Sequence, residues 1–203
     1  QSPTTSLAAS GAAPARASAV DARVVLDDVA IRRALVRIAH EVVERNETLR
    51  DLYLVAIPNG GVPLARIIAA QVREITGLEV PVGILDTTLY RDDLTALGER
   101  PPLRRTEMPS AVDDRVVVLV DDVVSTGRTI RAAMDALMDF GRPRSVQVVG
   151  LVDRGHRELP IKIDFVGKNV PTQREERVVL RGLSGGLEGP LEVVILDGEK
   201  GGA

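Results

Sequence analysis

Apolar residues fall into two rhythms along this chain. In LDDVAIRRALVRIAHEVVERNETL, Ile31, Leu35, Ile38 and Val42 recur at helical spacing and predict an amphipathic helix, with Asp27 or Asp28 as its cap. VPLARIIAAQVREITG (62–77), ending on Gly77, and RTIRAAMDALMDFG (128–141) repeat the pattern. Between them lie short apolar runs: LYLVAI (52–57) before Pro58, VPVGILD (80–86), VVVLV (116–120), SVQVVGLV (145–152) and LEVVIL (191–196). Runs of this length, bounded by turn residues or charge, predict buried strands. Strands alternating with helices imply right-handed crossovers and a parallel sheet covered on both faces, so the expected fold class is a single α/β domain.

Three stretches break the rhythm. The start, QSPTTSLAASGAAPARASAV, is rich in Ala, Ser, Pro and Thr, and residues 1–22 read as a disordered tail before one domain over 23–200. Residues 90–114, polar and dense in charge and proline, have the length of a functional flap. After residue 152 the chain reads as irregular and charged until the last apolar run.

Composition narrows the chemistry. There is no cysteine, which excludes disulfides, thiolate metal sites and cysteine nucleophiles. No apolar run is long enough to span a bilayer and the start makes a poor signal peptide, so a cytoplasmic protein is expected. Aromatic residues are 2% of the chain, so Val, Ile, Leu and Ala must build the core. A net charge of -3 argues against coating nucleic acid by bulk electrostatics, though not against a local basic patch.

The run VVVLVDDVVSTGRTIRAAMDAL (116–137) carries the strongest chemical signal. Asp121 and Asp122 fall at the carboxyl end of a strand, where open parallel sheets bind ligands. The turn Ser125-Thr126-Gly127-Arg128-Thr129 then opens a helix, whose free N–H groups and positive dipole end favour an anion. Paired carboxylates accept hydrogen bonds from vicinal hydroxyls. Hydroxyls and a phosphate held that close together describe a ribose 5-phosphate. Neither GxxxxGK[ST] nor GxGxxG is present, and Val123 stands where a phosphate-transferring Asp-x-Asp motif needs its second acid. A signalling receiver domain normally places its acid pair near the start of the domain. A plain strand–turn–helix with two capping acids is the bland alternative.

VVVLVDDVVSTGRT resembles the signature with which type I phosphoribosyltransferases hold phosphoribosyl pyrophosphate (PRPP). IRRALVRIAHEVVERN, TLYRDDL, LVDRGHRELPI and VGKNVPT narrow the resemblance to the PyrR family, regulators of pyrimidine operons that are also uracil phosphoribosyltransferases. The resemblance covers about residues 24–181. It implies a type I phosphoribosyltransferase fold, a mostly parallel sheet flanked by helices with a flexible flap (about 90–114) and a small irregular hood (about 153–182). It implies PRPP binding along Val117, Val118, Leu119, Val120, Asp121, Asp122, Val123, Val124 and Ser125 to Thr129. Asp121, Asp122 and Arg91 would be catalytic, Arg91 on the flap that closes over pyrophosphate. Asn59, Gly60 and Gly61 stand at the pyrophosphate loop, where relatives commonly carry a Lys and an Arg but this chain has Pro58 and Gly60. Val152, Asp153 and Arg154 would meet uracil. Magnesium would arrive with PRPP and not on a protein ligand set.

The resemblance also implies binding of a pyrimidine operon leader mRNA, response to UMP and UTP, and a homodimer or larger homo-oligomer, with no membrane partner. The expected RNA surface is Arg33, Arg37 and His40, at i, i+4 and i+7 of the first helix, with Arg45, His156 and Lys168. Val36 replaces a Thr usual in the family. Read without the resemblance, the helix face is a solvated one with Arg37 paired to Glu41. The enzymatic alternative is a phosphoribosyltransferase for a purine or orotate with no RNA role. A nucleotide sensor without turnover is the third class.

Overall fold

The computed structural model describes residues 22–58, 60–92, 105–182 and 189–197. Eight strands and three α-helices follow in order: β1 (Ala22–Leu26), α1 (Asp28–Arg45), β2 (Leu52–Ala56), α2 (Gly61–Thr76), β3 (Val82–Ile84), β4 (Val116–Val124), α3 (Arg128–Leu137), β5 (Ser145–Asp153), β6 (Phe165–Asn169), β7 (Arg177–Arg181) and β8 (Glu192–Leu196). Short 3-10 turns sit at Leu49–Asp51, Thr88–Tyr90 and Met138–Phe140.

The main sheet has five strands in the order β3-β2-β4-β5-β6, all parallel. Alternation along β4 divides its side chains: Val116, Val118 and Val120 join the core under α1 and α2, and Val117 and Leu119 join the core under α3. Both cores are aliphatic, with Ile31, Leu35, Ile38, Leu64 and Ile68 fully buried on the first side and Ile130 and Leu137 on the second. Each such side chain contributes roughly 1.5–3 kcal/mol by leaving water.

The helix termini are set locally. Asp27, extended at φ -85°, caps α1 by accepting from the Ala30 N–H at 2.8 Å. Asn46 closes the other end. Its buried amide donates to the Val42 carbonyl and pairs both ways with Gln147 of β5, at 3.0 and 2.9 Å, so the two buried amides satisfy each other. Gly77 ends α2 in the left-handed conformation (φ 73°), as its position in the sequence predicts.

The second sheet is antiparallel, in the order β1-β8-β7. The stretch after residue 152, expected to be irregular, therefore holds two strands, β6 extending the main sheet and β7 in the small one. The small sheet also takes one strand from each end of the described chain. Residues 1–21 of the expected tail and 93–104 of the expected flap lie outside the described residues. Among the described residues no helix is long and apolar enough to cross a membrane.

Candidate active site

Register creates the site. β2 pairs with β4 only as far as Ala56 opposite Val120, whereas β5 follows β4 to the end, with Asp121 opposite Gly150 and Val124 opposite Asp153. The strand was expected to stop at residue 120. It runs four residues further, because the β5 backbone continues the hydrogen-bond ladder whatever side chains β4 carries. The acid pair thus lies on a projecting strand with the end of β2 beside it. Asp121 is buried at 5% exposure and Asp122 is half-buried. The Asp122 N–H donates to Asp121 Oδ1 at 3.0 Å. Burial, with the Asp122 carboxylate next to it, pushes the Asp121 carboxyl well above the usual carboxylate range, and Arg91 pulls against that rise. Val117 to Val120 are fully buried, so in the expected PRPP stretch they carry the acids and offer no side chain to a ligand.

The turn after β4 has the form an anion needs. Gly127, at φ 91°, takes a left-handed step that L side chains resist, and α3 begins at the next residue with no side chain capping it. Beyond the Arg128 N–H, the next N–H groups of the first turn of α3 are open to a ligand or water. Thr126 receives the N–H of Arg128 on its hydroxyl at 3.3 Å and those of Glu158 and Leu159 on its carbonyl at 3.0 and 3.1 Å. Arg91 follows the 3-10 turn Thr88–Tyr90 and donates to the Thr129 hydroxyl at 3.2 Å, which brings it to the turn expected to hold phosphate. Three more contacts hold the same segment on α3 and the 3-10 turn after it. Arg128 binds Asp92 at 2.8 Å, Arg131 donates to the Tyr90 carbonyl at 2.8 Å, and the Tyr90 hydroxyl bonds Asp139. The Asp139 carboxylate raises the Tyr90 pKa through that bond.

Beyond β5 the loop Asp153-Arg154-Gly155-His156-Arg157 curls over the turn, with Gly155 and His156 both at positive φ, 78° and 61°. Arg157 ties it down, donating to the Ser125 carbonyl at 2.5 Å, the Ile161 carbonyl at 3.0 Å and Asp153 at 2.8 Å. Arg154 and His156 converge on Thr172, on its hydroxyl at 3.1 Å and its carbonyl at 2.8 Å. Arg154 also donates to the Gln173 carbonyl, and burial lowers its pKa. Its guanidinium therefore holds the 172–174 backbone, while its own N–H closes on Val124. Val152 is fully buried in the core, so only its backbone faces the loop.

Across the crevice, Gly60 and Gly61 open α2 against β4. A Cβ on Gly61 would lie 2.3 Å from the Val120 carbonyl oxygen, and one on Gly60 would lie 2.2 Å from the Asp122 carboxyl carbon. Asn59, the third expected residue of this loop, lies outside the described residues.

The phosphoribosyl transferase domain family matches residues 24–179. Among curated relatives, the Bifunctional protein PyrR of Pelotomaculum thermopropionicum is 56% identical over 173 residues, 85% of this chain and 94% of the relative. That of Roseiflexus sp. is 58% identical over 167 residues, 81% and 91% of the two chains. The chain belongs to the PyrR family of phosphoribosyltransferases. Solved structures share the fold at lower identity. The hypoxanthine phosphoribosyltransferase of Trypanosoma cruzi aligns with TM-score 0.61 at 15% identity over 87% of this chain and 97% of that one. The Staphylococcus aureus enzyme aligns at 0.59 and 19%, over 77% and 81%.

The residues that the PyrR resemblance linked to RNA are dispersed in their engagements. Arg33 and His40 are exposed on α1, and their side chains make no hydrogen bond among the described residues. Arg37 is committed: it donates to the Val166 and Gly167 carbonyls of β6 at 2.9 and 2.8 Å and pairs with Glu41 at 2.6 Å. Arg45 binds Asp164 at 3.1 Å and lies over the Phe165 ring, and Lys168 donates to the Val25 carbonyl at 3.1 Å. His156 belongs to the loop over the phosphate turn. Sequence reading passed over Arg131, Arg157, Glu158 and Thr172, and weighed Asp92 only as part of a solvated charged run at 91–93; all five assemble the walls of the candidate site. The DRGHRELP run contains two of them, but nothing in its spacing says that Arg157 reaches back to Ser125.

Proposed function

We propose that the protein transfers the phosphoribosyl group of PRPP to uracil, forming UMP and pyrophosphate, and that it binds a pyrimidine operon leader mRNA under control of uridine nucleotides. The carrying observation is the acid pair on the projecting end of β4, with the uncapped N-terminus of α3 directly after it. Asp121 and Asp122 accept the ribose hydroxyls, and the Ser125–Thr129 turn takes the 5′-phosphate. In the transfer the bond from the anomeric carbon to the pyrophosphate oxygen breaks and a bond to the uracil ring nitrogen forms, whose proton passes to solvent. Positive charge develops on the ribose ring beside the two acids, and negative charge on the leaving group, which Arg91 faces. No side chain serves as nucleophile. Backbone groups near Asp153 and Arg154 meet the base, among them the Arg154 carbonyl, since the Arg154 N–H donates to Val124 and the Asp153 carbonyl accepts from Val170. Mg2+ would arrive on the oxygens of PRPP itself and would supply charge neutralisation on pyrophosphate.

The relatives' printed name, Bifunctional protein PyrR, supports the paired roles. We read the protein as a homodimer or larger homo-oligomer. The test is UMP formation from uracil and PRPP, run beside hypoxanthine, guanine and orotate. Uracil should be the base consumed, and changing both Asp121 and Asp122 to Asn should abolish PRPP binding in a folded protein. Consumption of a purine or orotate instead would select the alternative enzyme.

A further inference from the structure

Arg128 opens α3, and its backbone and its side chain belong to different parts of the site. Its N–H is held by the Thr126 hydroxyl within the turn expected to take phosphate, whereas its guanidinium is engaged by two carboxylates. Nε donates to Glu158 Oε2 and Nη1 to Asp92 Oδ2, each at 2.8 Å. The two acids come from separate walls. Asp92 follows Arg91, and Glu158 follows the loop 153–157, its own N–H donating to the Thr126 carbonyl at 3.0 Å. The side chains of Arg128, Asp92 and Glu158 are partly open to water, at 32%, 46% and 44% exposure, so each ion pair adds little to stability. What a planar, pre-organised guanidinium adds is geometry. One rigid group fixes both walls relative to the turn.

We infer that Arg128 is a positioning residue that locks the Arg91 segment and the base-facing loop onto the phosphate turn, through Asp92 and Glu158. This rests on the proposed function, in which Arg91 faces the leaving pyrophosphate and backbone groups near Asp153 and Arg154 meet uracil. The two arms then serve different partners of the reaction. The Asp92 arm holds Arg91 where negative charge develops in the transition state, so its loss lowers kcat. The Glu158 arm holds the loop that meets uracil in the ground state as well, so its loss raises the uracil KM with kcat unchanged. Asp92 keeps a second, longer contact, 3.7 Å to Arg131, so losing Arg128 alone leaves the Arg91 segment partly tethered.

The experiment is steady-state kinetics with uracil and PRPP on Asp92→Asn, Glu158→Gln, Arg128→Gln and the double variant of Asp92→Asn with Arg128→Gln, with a thermal melt of each to show that it is folded. Asp92→Asn should lower kcat by about two- to fivefold, the range of a partly exposed ion pair, and leave the uracil KM unchanged. Glu158→Gln should raise that KM by about the same factor at constant kcat. Arg128→Gln should do both, and in the Asp92→Asn background it should raise KM without lowering kcat further. Unchanged kinetics in either carboxylate variant would overturn the proposal, as would an effect of one arm on the other's parameter or a further fall in kcat in the double variant. If the unaltered protein makes no UMP, the proposed function fails and amide hydrogen exchange decides the clamp alone. Arg128→Gln should then speed exchange at Tyr90, whose N–H bonds the Thr87 carbonyl, and at Glu158. Faster exchange at only one of them, or at neither, sinks the clamp.

Discussion

Asp121 sits where its charged form is disfavoured. Desolvation and the adjacent Asp122 both disfavour its charged form, so its folded pKa stands above the ordinary carboxyl value of 3.8. Between those two values the folded protein binds more protons than the unfolded chain. Stability therefore falls as pH rises through that window and stays lower above it. Asn has the shape of the protonated acid and keeps an oxygen for the Asp122 N–H. Asp121→Asn should therefore raise the melting temperature at about pH 8, with a gain that shrinks toward about pH 5, while phosphoribosyl transfer is lost. A melting temperature that drops at about pH 8 would mean the charged form is favourably paired in the free protein. Gains of this kind fit a residue kept for its ligand at the expense of the fold.

At the scale of elements, caps and turns separate stability from binding. Asp27 is far from the acid pair in the chain and among the described residues its carboxylate accepts only the Ala30 N–H, so Asp27→Ala should cost about 1 kcal/mol in urea unfolding and leave UMP affinity unchanged. Gly127→Ala should cost both. Its φ of 91° penalises an L residue by roughly 1–2 kcal/mol. The added methyl would also meet Ile161 at 3.0 Å, in the loop that covers the phosphate turn. UMP affinity should fall with stability, and an unaffected affinity would place the phosphate away from α3. These elements were legible because they rest on local rules: helical periodicity in α1 and α2, a cap at Asp27, a glycine stop at 77, and the acid pair followed by a small-residue turn. β6 and β7 were not. FVGKN and RVVLR have little apolar periodicity, and they become strands because β5 and β8 offer them open edges. The extension of β4 past Val120 has the same origin in a partner strand. A single chain read in order does not display its partners, which is also why the roles of Arg157 and Asp92 went unnoticed.

Over the whole molecule, arginines do the joining. Arg128 spans Asp92 and Glu158, one on each side of the proposed phosphate turn, and Arg157 binds the turn to the loop above it, so the proposed ligand site is a knot of three chain segments. The same habit governs the proposed RNA surface, where Arg37 staples α1 to β6 and Lys168 staples β6 to the β1 backbone. Charge on this face therefore divides into structural and available cations. Arg33 and His40 are the exposed, unengaged pair on α1 among the described residues, and a dimer would present them twice. With Tyr53 fully buried, Phe165 nearly so and the exposed Phe140 beyond α3 on the other side of the sheet, ring stacking has little to offer on this face, and phosphate contacts must carry RNA affinity. Arg33→Gln should weaken binding of the operon leader and reduce the salt slope by about one unit per contact, with melting temperature and UMP formation unchanged. Arg37→Gln should weaken binding too, but with a lowered melting temperature, because two β6 carbonyls lose their donor. Filter binding across a salt series, beside thermal melts of both variants, separates the cases. Equal salt slopes for Arg33→Gln and the unaltered protein would move the RNA off this helix face. The exposed cation and the stapling one sit a single helical turn apart, so only the paired measurement tells recognition from support.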